Sequence, residues 1–188
     1  MDAVKQIKGP VTVLDRADVD TDQIIPARYL KRVERTGFGQ FLFDEWRKDP
    51  SFDLPANPIL ATGPNFGSGS SREHAPWALQ DYGFQAVVAA SFADIFFSNC
   101  TKIGLLPVVL PEEDVRALMA AETAEVDLEA LEVRFDGRTV PFHIEKDRRH
   151  RLLNGLDDIA LTLERGDEIS AYERERERQG PVTTALVA

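Results

Sequence analysis

The sequence predicts an α/β protein: a mostly parallel core sheet with helices packed around it, plus a β-hairpin. Three observations predict this. Apolar runs at residues 59–61, 86–90 and 105–110 read as buried strands of the parallel-sheet kind. A helix-period stretch follows each run, so strand and helix alternate from Ile59 to about Ala121. Beyond that, an alternating apolar and polar segment, 125–135, meets Asp136-Gly137, a hairpin turn pair, and a return strand over 139–144.

Taken in order, residues 11–14 form the first short strand. The loop 15–26 carries Asp15, Asp18, Asp20 and Asp22. Its aspartates fit turns and caps better than calcium, because the glycine and closing glutamate of an EF-hand are missing. Arg28, Lys31, Arg32 and Arg35 then make a local positive cluster in an acidic chain. It reads either as a solvated helix face or as a clamp for a dicarboxylate. Thr36, Gly37 and Gly39 follow in a loop flexible enough for a lid. Phe38, Phe41, Leu42 and Trp46 have helical spacing and read as core. A proline-rich connection, 49–58, leads to the second strand.

The densest stretch is 63–77, Gly-Pro-Asn-Phe-Gly-Ser-Gly-Ser-Ser-Arg-Glu-His-Ala-Pro-Trp. It reads as a glycine-rich turn from strand to helix. Ser70 or Ser71 is expected to cap that helix, with Glu73 as capping-box partner. Such a start offers free N–H groups and a positive dipole end to an anion, and Arg72 adds a fork suited to a carboxylate. Plain helix capping is the structural alternative. The spacing is not that of a P-loop, a dinucleotide fingerprint or a hydrolase elbow.

Downstream, a helix over 93–103 closes at Gly104, and Pro111 with Glu112, Glu113 and Asp114 opens another. Short helices are expected at 147–153 and 157–163, and a charged helical run at 168–178. One domain is expected over 1–178, with a disordered tail at 179–188.

Two motifs carry a family resemblance. Residues 67–74, Gly-Ser-Gly-Ser-Ser-Arg-Glu-His, resemble the signature loop of the swivelling domain of the aconitase superfamily. Residues 20–26, Asp-Thr-Asp-Gln-Ile-Ile-Pro, resemble that family's other marker, and Leu105-Leu106-Pro107 fits as well. The resemblance spans about Val11 to Tyr172. At this length, with no cysteine-rich domain attached, the chain is similar to the small-subunit family of 3-isopropylmalate dehydratase.

That resemblance implies a swivelling-type β/β/α domain in a hydro-lyase of leucine biosynthesis. It implies a partner, the large subunit, whose [4Fe–4S] cluster acts on a small dicarboxylate substrate. Matched position by position, Ser70 becomes the base. Ser71 and Arg72 hold a substrate carboxylate, Asp22 hydrogen-bonds near the reacting groups, and Arg35, Thr36, Gly37 and Phe38 line the pocket that selects the substrate. His74 receives no chemistry. Two other readings stay open: a related hydro-lyase subunit acting on homoaconitate, citraconate or 2,3-dimethylmalate, and an anion-binding domain without catalysis. Pocket residues near Arg35 separate the first, and a partner carrying three cluster cysteines argues against the second.

Bulk properties agree. A net charge of −10 argues against general nucleic-acid or membrane-surface binding. No apolar run approaches the roughly 20 residues of a membrane span. Residues 1–10 lack the apolar core of a signal peptide, so a cytoplasmic protein is expected. The single cysteine, Cys100, excludes an internal disulfide and a self-contained iron–sulfur cluster. It reads as a buried, inert thiol.

Overall fold

The computed structural model describes residues 1–32 and 34–180. One seven-stranded sheet organises them. Strand β1, Gln6–Leu14, is its pivot. Its second half pairs in parallel with β2, Ile59–Thr62, in the register Val11 to Ile59. Beyond β2 lie β3, Ala86–Ala89, and β4, Leu106–Val109, also parallel. The first half of β1 pairs antiparallel with β5, Thr123–Asp127, placing Ile7 opposite Val126. From β5 the sheet continues antiparallel through β6, Glu132–Phe135, and β7, Arg138–Pro141. The core sheet β4-β3-β2-β1 is thus parallel, extended by a meander that ends in the expected Asp136-Gly137 hairpin. The segment expected as one alternating strand divides into β5 and β6, and Leu131 turns the chain between them at φ 59°.

Period-two alternation sends the strands' side chains to two cores. On one face Ile59, Ala61, Ala86, Val88, Leu106 and Val108 pack with Val115 and Leu118 of the helix Glu112–Met119 and with Leu152 of Lys146–Asn154. On the other, Leu60, Val87 and Ala89 pack with Leu79, Phe84, Phe66, Phe96 and Cys100. Each such fully buried leucine or phenylalanine contributes about 1.5–3 kcal/mol over exposure.

Helices take labels in chain order: α1 Thr21–Ile24, α2 His74–Tyr82, α3 Asp94–Ile103, α4 Glu112–Met119, α5 Lys146–Asn154, α6 Asp158–Leu163 and α7 Gly166–Gln179. Pro76 falls in the first turn of α2, where its missing N–H costs no helical bond. Short 3₁₀ turns at Ala27–Tyr29, Gly39–Phe41 and Trp46–Lys48 replace the helix expected from the spacing of Phe38, Phe41, Leu42 and Trp46. The residues are core as expected, but Phe43 sits at φ 49° and stops any continuous helix. Of the expected tail 179–188, Gln179 closes α7 and residues 181–188 lie outside those described.

Candidate active site

Three turns leave the carboxyl ends of β1, β2 and β3 on one edge of the sheet, where open α/β sheets bind ligands. The turn after β2 lies between the other two. On the β1 side, Gly67 N–H and Ser68 N–H both donate to Val19 O, at 2.8 and 3.1 Å, and Thr21 N–H donates to Ser68 O at 2.9 Å. On the β3 side, Phe66 N–H donates to Ser91 O and Ala93 N–H donates to Phe66 O, each at 3.1 Å. These bonds fix the turn before any ligand arrives.

Sequence chemistry permits this close approach. Gly67 and Gly69 have φ of 78° and 87°. A Cβ on Gly67 would overlap the Phe96 ring, and one on Gly69 would overlap the Asp20 carboxylate. Only glycine meets both demands without strain. The result is an exposed Ser70 and Ser71, with Arg72 largely covered beside them.

The helix-start expectation is corrected here. Helix α2 begins at His74, and no side chain caps it. Ser70 and Ser71 lie before the helix rather than at its cap, because the chain is still bound to the β1 turn there: Thr21 Oγ1 donates to Ser70 O at 2.9 Å. A capping box does form, but at α1, where Asp20 caps the helix and Gln23 reaches back to the Asp20 N–H. The two sequence motifs therefore meet in space, one holding the backbone of the other.

A cavity of about 270 Å³ opens at this junction. Thr21, Ser70, Ser71 and Arg72 line one side, and the first turn of α3, with Asp94 and the exposed Ile95, lines the other. Arg72 is bidentate to Asp22: Nη1 meets Oδ1, and Nη2 meets Oδ2 at 2.8 Å. The Arg72 guanidinium holds the Asp22 carboxyl below its usual range, with the hydrogen bond as the leading cause. Each terminal nitrogen keeps a second N–H, so the fork can bind a further anion.

The other expected pocket residues do not converge on this cavity. Gly37 lines a separate one with Gln40, Arg47 and Asp81. Arg35 and Thr36 are exposed, and Arg35 stands over Trp77. Phe38 is a correction: its ring is 1% exposed, packed on His74 and Trp77, and lines no part of the Ser70 cavity. His74 is part-buried, and burial lowers its pKa. Thr21 and the start of α3 were missed as site residues, although a turn after a buried parallel strand was itself a signal.

A larger cavity, about 980 Å³, lies among α3, α5, α6 and α7. Its polar groups face one another, as in His150 with Glu164 at 3.0 Å and Arg151 with Asp158, and do not converge on a common point. Among the described residues, no group of three His, Cys, Asp or Glu could hold a metal ion. The only thiol, Cys100, is buried, and burial raises its pKa well above normal. One buried thiol cannot hold an iron–sulfur cluster.

Comparison with known proteins decides the family. The 3-isopropylmalate dehydratase small subunit of Rubrobacter xylanophilus is 53% identical over 192 residues, covering 96% of this chain and 98% of its own. The chain belongs to the 3-isopropylmalate dehydratase small-subunit family. The small subunit of Rhodopirellula baltica is 54% identical, covering 90% of this chain and 96% of its own. Residues 52–113 match the aconitase C-terminal domain family, and 158–182 match the C-terminal domain of 3-isopropylmalate dehydratase small subunits. A crystal structure of 3-isopropylmalate dehydratase from Methanocaldococcus jannaschii is 27% identical, with a TM-score of 0.71, covering 89% of this chain and 99% of that one. As a member of this small-subunit family, the chain is a hydro-lyase subunit of leucine biosynthesis. No helix among the described residues is long and apolar enough to cross a membrane.

Proposed function

We propose that this subunit supplies the proton-transfer and carboxylate-binding half of the isomerisation of 2-isopropylmalate to 3-isopropylmalate through 2-isopropylmaleate. The observation that carries the proposal is the exposed Ser70 on a braced turn beside the Arg72–Asp22 pair.

The proton to be removed sits on carbon next to a carboxylate and is weakly acidic. A serine hydroxyl is a weak base, so it needs a positive surrounding to react as an alkoxide. Arg72, the uncapped start of α2 and the uncapped start of α3 provide one. The same groups offset charge growing on the substrate carboxylate as the C–H bond breaks. Ser70 Oγ takes the proton, the C–H electron pair becomes the new double bond, and the hydroxyl leaves the neighbouring carbon. Water returns at the other carbon, and Ser70 gives back a proton. Ser71 and Arg72 hold one carboxylate through both steps. Asp22 keeps the guanidinium planar and oriented, and it stays ionised at neutral pH because Arg72 depresses its pKa.

The large subunit would carry the [4Fe–4S] cluster, whose open iron supplies Lewis-acid help to the departing hydroxyl. Division of the groups between two chains makes this subunit inactive alone, with the pocket completed at their interface. Soluble assembly in the cytosol accompanies this reading.

The experiment is reconstitution. The chain with a cluster-bearing large subunit turns over 2-isopropylmalate, and either chain alone does not. Ser70→Ala lowers kcat by about 10²–10⁴-fold while the subunits still associate. Near-normal rates in Ser70→Ala would refute the base assignment.

A further inference from the structure

Helix α2 carries more than the turn before it. His74 and Trp77, three residues apart, share one face of it, with ring centroids 4.7 Å apart. Phe38 packs edge-on against His74 at 5.1 Å and tilted against Trp77 at 5.9 Å. The Arg35 guanidinium lies over the Trp77 ring, 5.8 Å from its centroid, within cation–π reach. One turn further along, Asp81 accepts the Phe38 N–H at 2.8 Å. Gly39 lies so close to the backbone of Asp81 and Tyr82 that a Cβ would collide there. These anchors of residues 35–39 all lie on the helix that begins two residues after Arg72.

We propose that Trp77 and Asp81 are positioning residues for recognition of the second substrate carboxylate, holding Arg35 and the 36–38 backbone at a set offset from Ser71 and Arg72. The inference rests on the function proposed above. A diacid presents two carboxylates at a separation fixed by its carbon skeleton. A second cation adds affinity only when its distance from the first is also held. An arginine on a free loop loses rotamer freedom at each binding event. An arginine resting on an indole, with its backbone tied to the same helix as the first site, loses less. The cation–π contact at a part-exposed ring is weak enough to be exchanged for a carboxylate. Trp77 and Asp81 do not touch substrate; they act through Arg35 and Phe38.

The test uses the reconstituted two-subunit enzyme. Trp77→Leu and Asp81→Asn each raise KM for 2-isopropylmalate by about three- to tenfold, with kcat within about twofold, the signature of lost uniform binding. Trp77→Phe keeps a ring and restores most of the loss. Arg35→Ala raises KM to a similar degree and adds little to Trp77→Leu, because both remove one shared interaction. In the full chain alone, trypsin cuts after Arg35 several times faster in Trp77→Leu than in the unaltered chain.

Multiplicative effects of Arg35→Ala and Trp77→Leu, or a fall in kcat at constant KM, would overturn the inference. Should Trp77→Leu not fold, the exposed Asp81 carries the same KM expectation. Unchanged KM in Asp81→Asn and Arg35→Ala, alongside lost turnover in Ser70→Ala, sinks this inference and leaves the base assignment standing. Absence of turnover by the unaltered reconstituted enzyme would overturn both.

Discussion

The Ser70 turn and the 35–39 segment both border α2, yet they are held by different means. The turn is fastened by main-chain hydrogen bonds to two neighbouring loops, and glycines at 67 and 69 leave no room for adjustment. The segment hangs on side chains: one carboxylate, two aromatic rings and a guanidinium resting on indole. Main-chain fastening suits groups that must meet a reacting carbon within tenths of an ångström. Side-chain fastening suits recognition, because it can be altered by substitution without disturbing the chemistry.

The contrast can be broken at several points. The largest effect is expected from Gly67→Ala. Its Cβ would enter the buried Phe96 ring at a positive φ, so overpacking alone costs about 1–3 kcal/mol. Thermal unfolding should show that loss, and turnover should fall with it because the turn is displaced. Unchanged melting and activity would show that the turn yields where this account has it rigid.

Arg72→Lys comes next. A point charge cannot replace a fork that is bidentate to Asp22 while also binding substrate. A rate loss of about ten- to a hundredfold, or roughly 1.4–2.7 kcal/mol, is expected from steady-state assays. The same pair has a pH signature. Asp22's pKa is lower in the folded chain, so the ion pair is intact above the ordinary carboxylate range and dissolves as pH falls through the lowered value. Carboxyl resonances followed by NMR should place Asp22 below an ordinary aspartate, and Arg72→Gln should return it upward. An Asp22 that titrates normally in the unaltered chain would mean the pair does not persist in solution.

Thr21→Val should do least. It deletes the single bond from Thr21 Oγ1 to Ser70 O without changing shape. About 1 kcal/mol of stability should go in denaturant titrations, with a few-fold loss of kcat, since the main-chain bonds remain. A loss as large as that of Gly67→Ala would mean side chains rather than backbone brace the turn.

Much of this architecture was legible in the chain. Residues 59–61, 86–90 and 105–110 announced buried strands because parallel strands covered on both faces carry no polar positions. Asp136-Gly137 announced its hairpin for a local reason, the positive φ that both residues adopt. The pairing of β1 with β5 was not legible: Ile7 meets Val126 across more than a hundred residues, and no local pattern encodes that. Phe38, Phe41, Leu42 and Trp46 misled because helical spacing also serves a series of turns packed against one wall.

The site followed the same division. Ser70, Ser71, Arg72 and Asp22 could be named because each lies in a short dense motif. That Thr21 locks Ser70, that α2 starts only at His74, and that Phe38 is buried rather than lining the pocket all depend on contacts between separate turns. Those contacts are tertiary facts, and propensity does not report them.

The central claim is that the Ser70 oxygen moves the carbon-bound proton, and isotope exchange reads that step most directly. In deuterium oxide, the reconstituted enzyme should wash deuterium into the substrate carbon beside the carboxylate. Ser70→Ala should slow that incorporation by at least about 10²-fold while the two subunits still co-purify. Deuterium entering at the unaltered rate in Ser70→Ala would contradict the account.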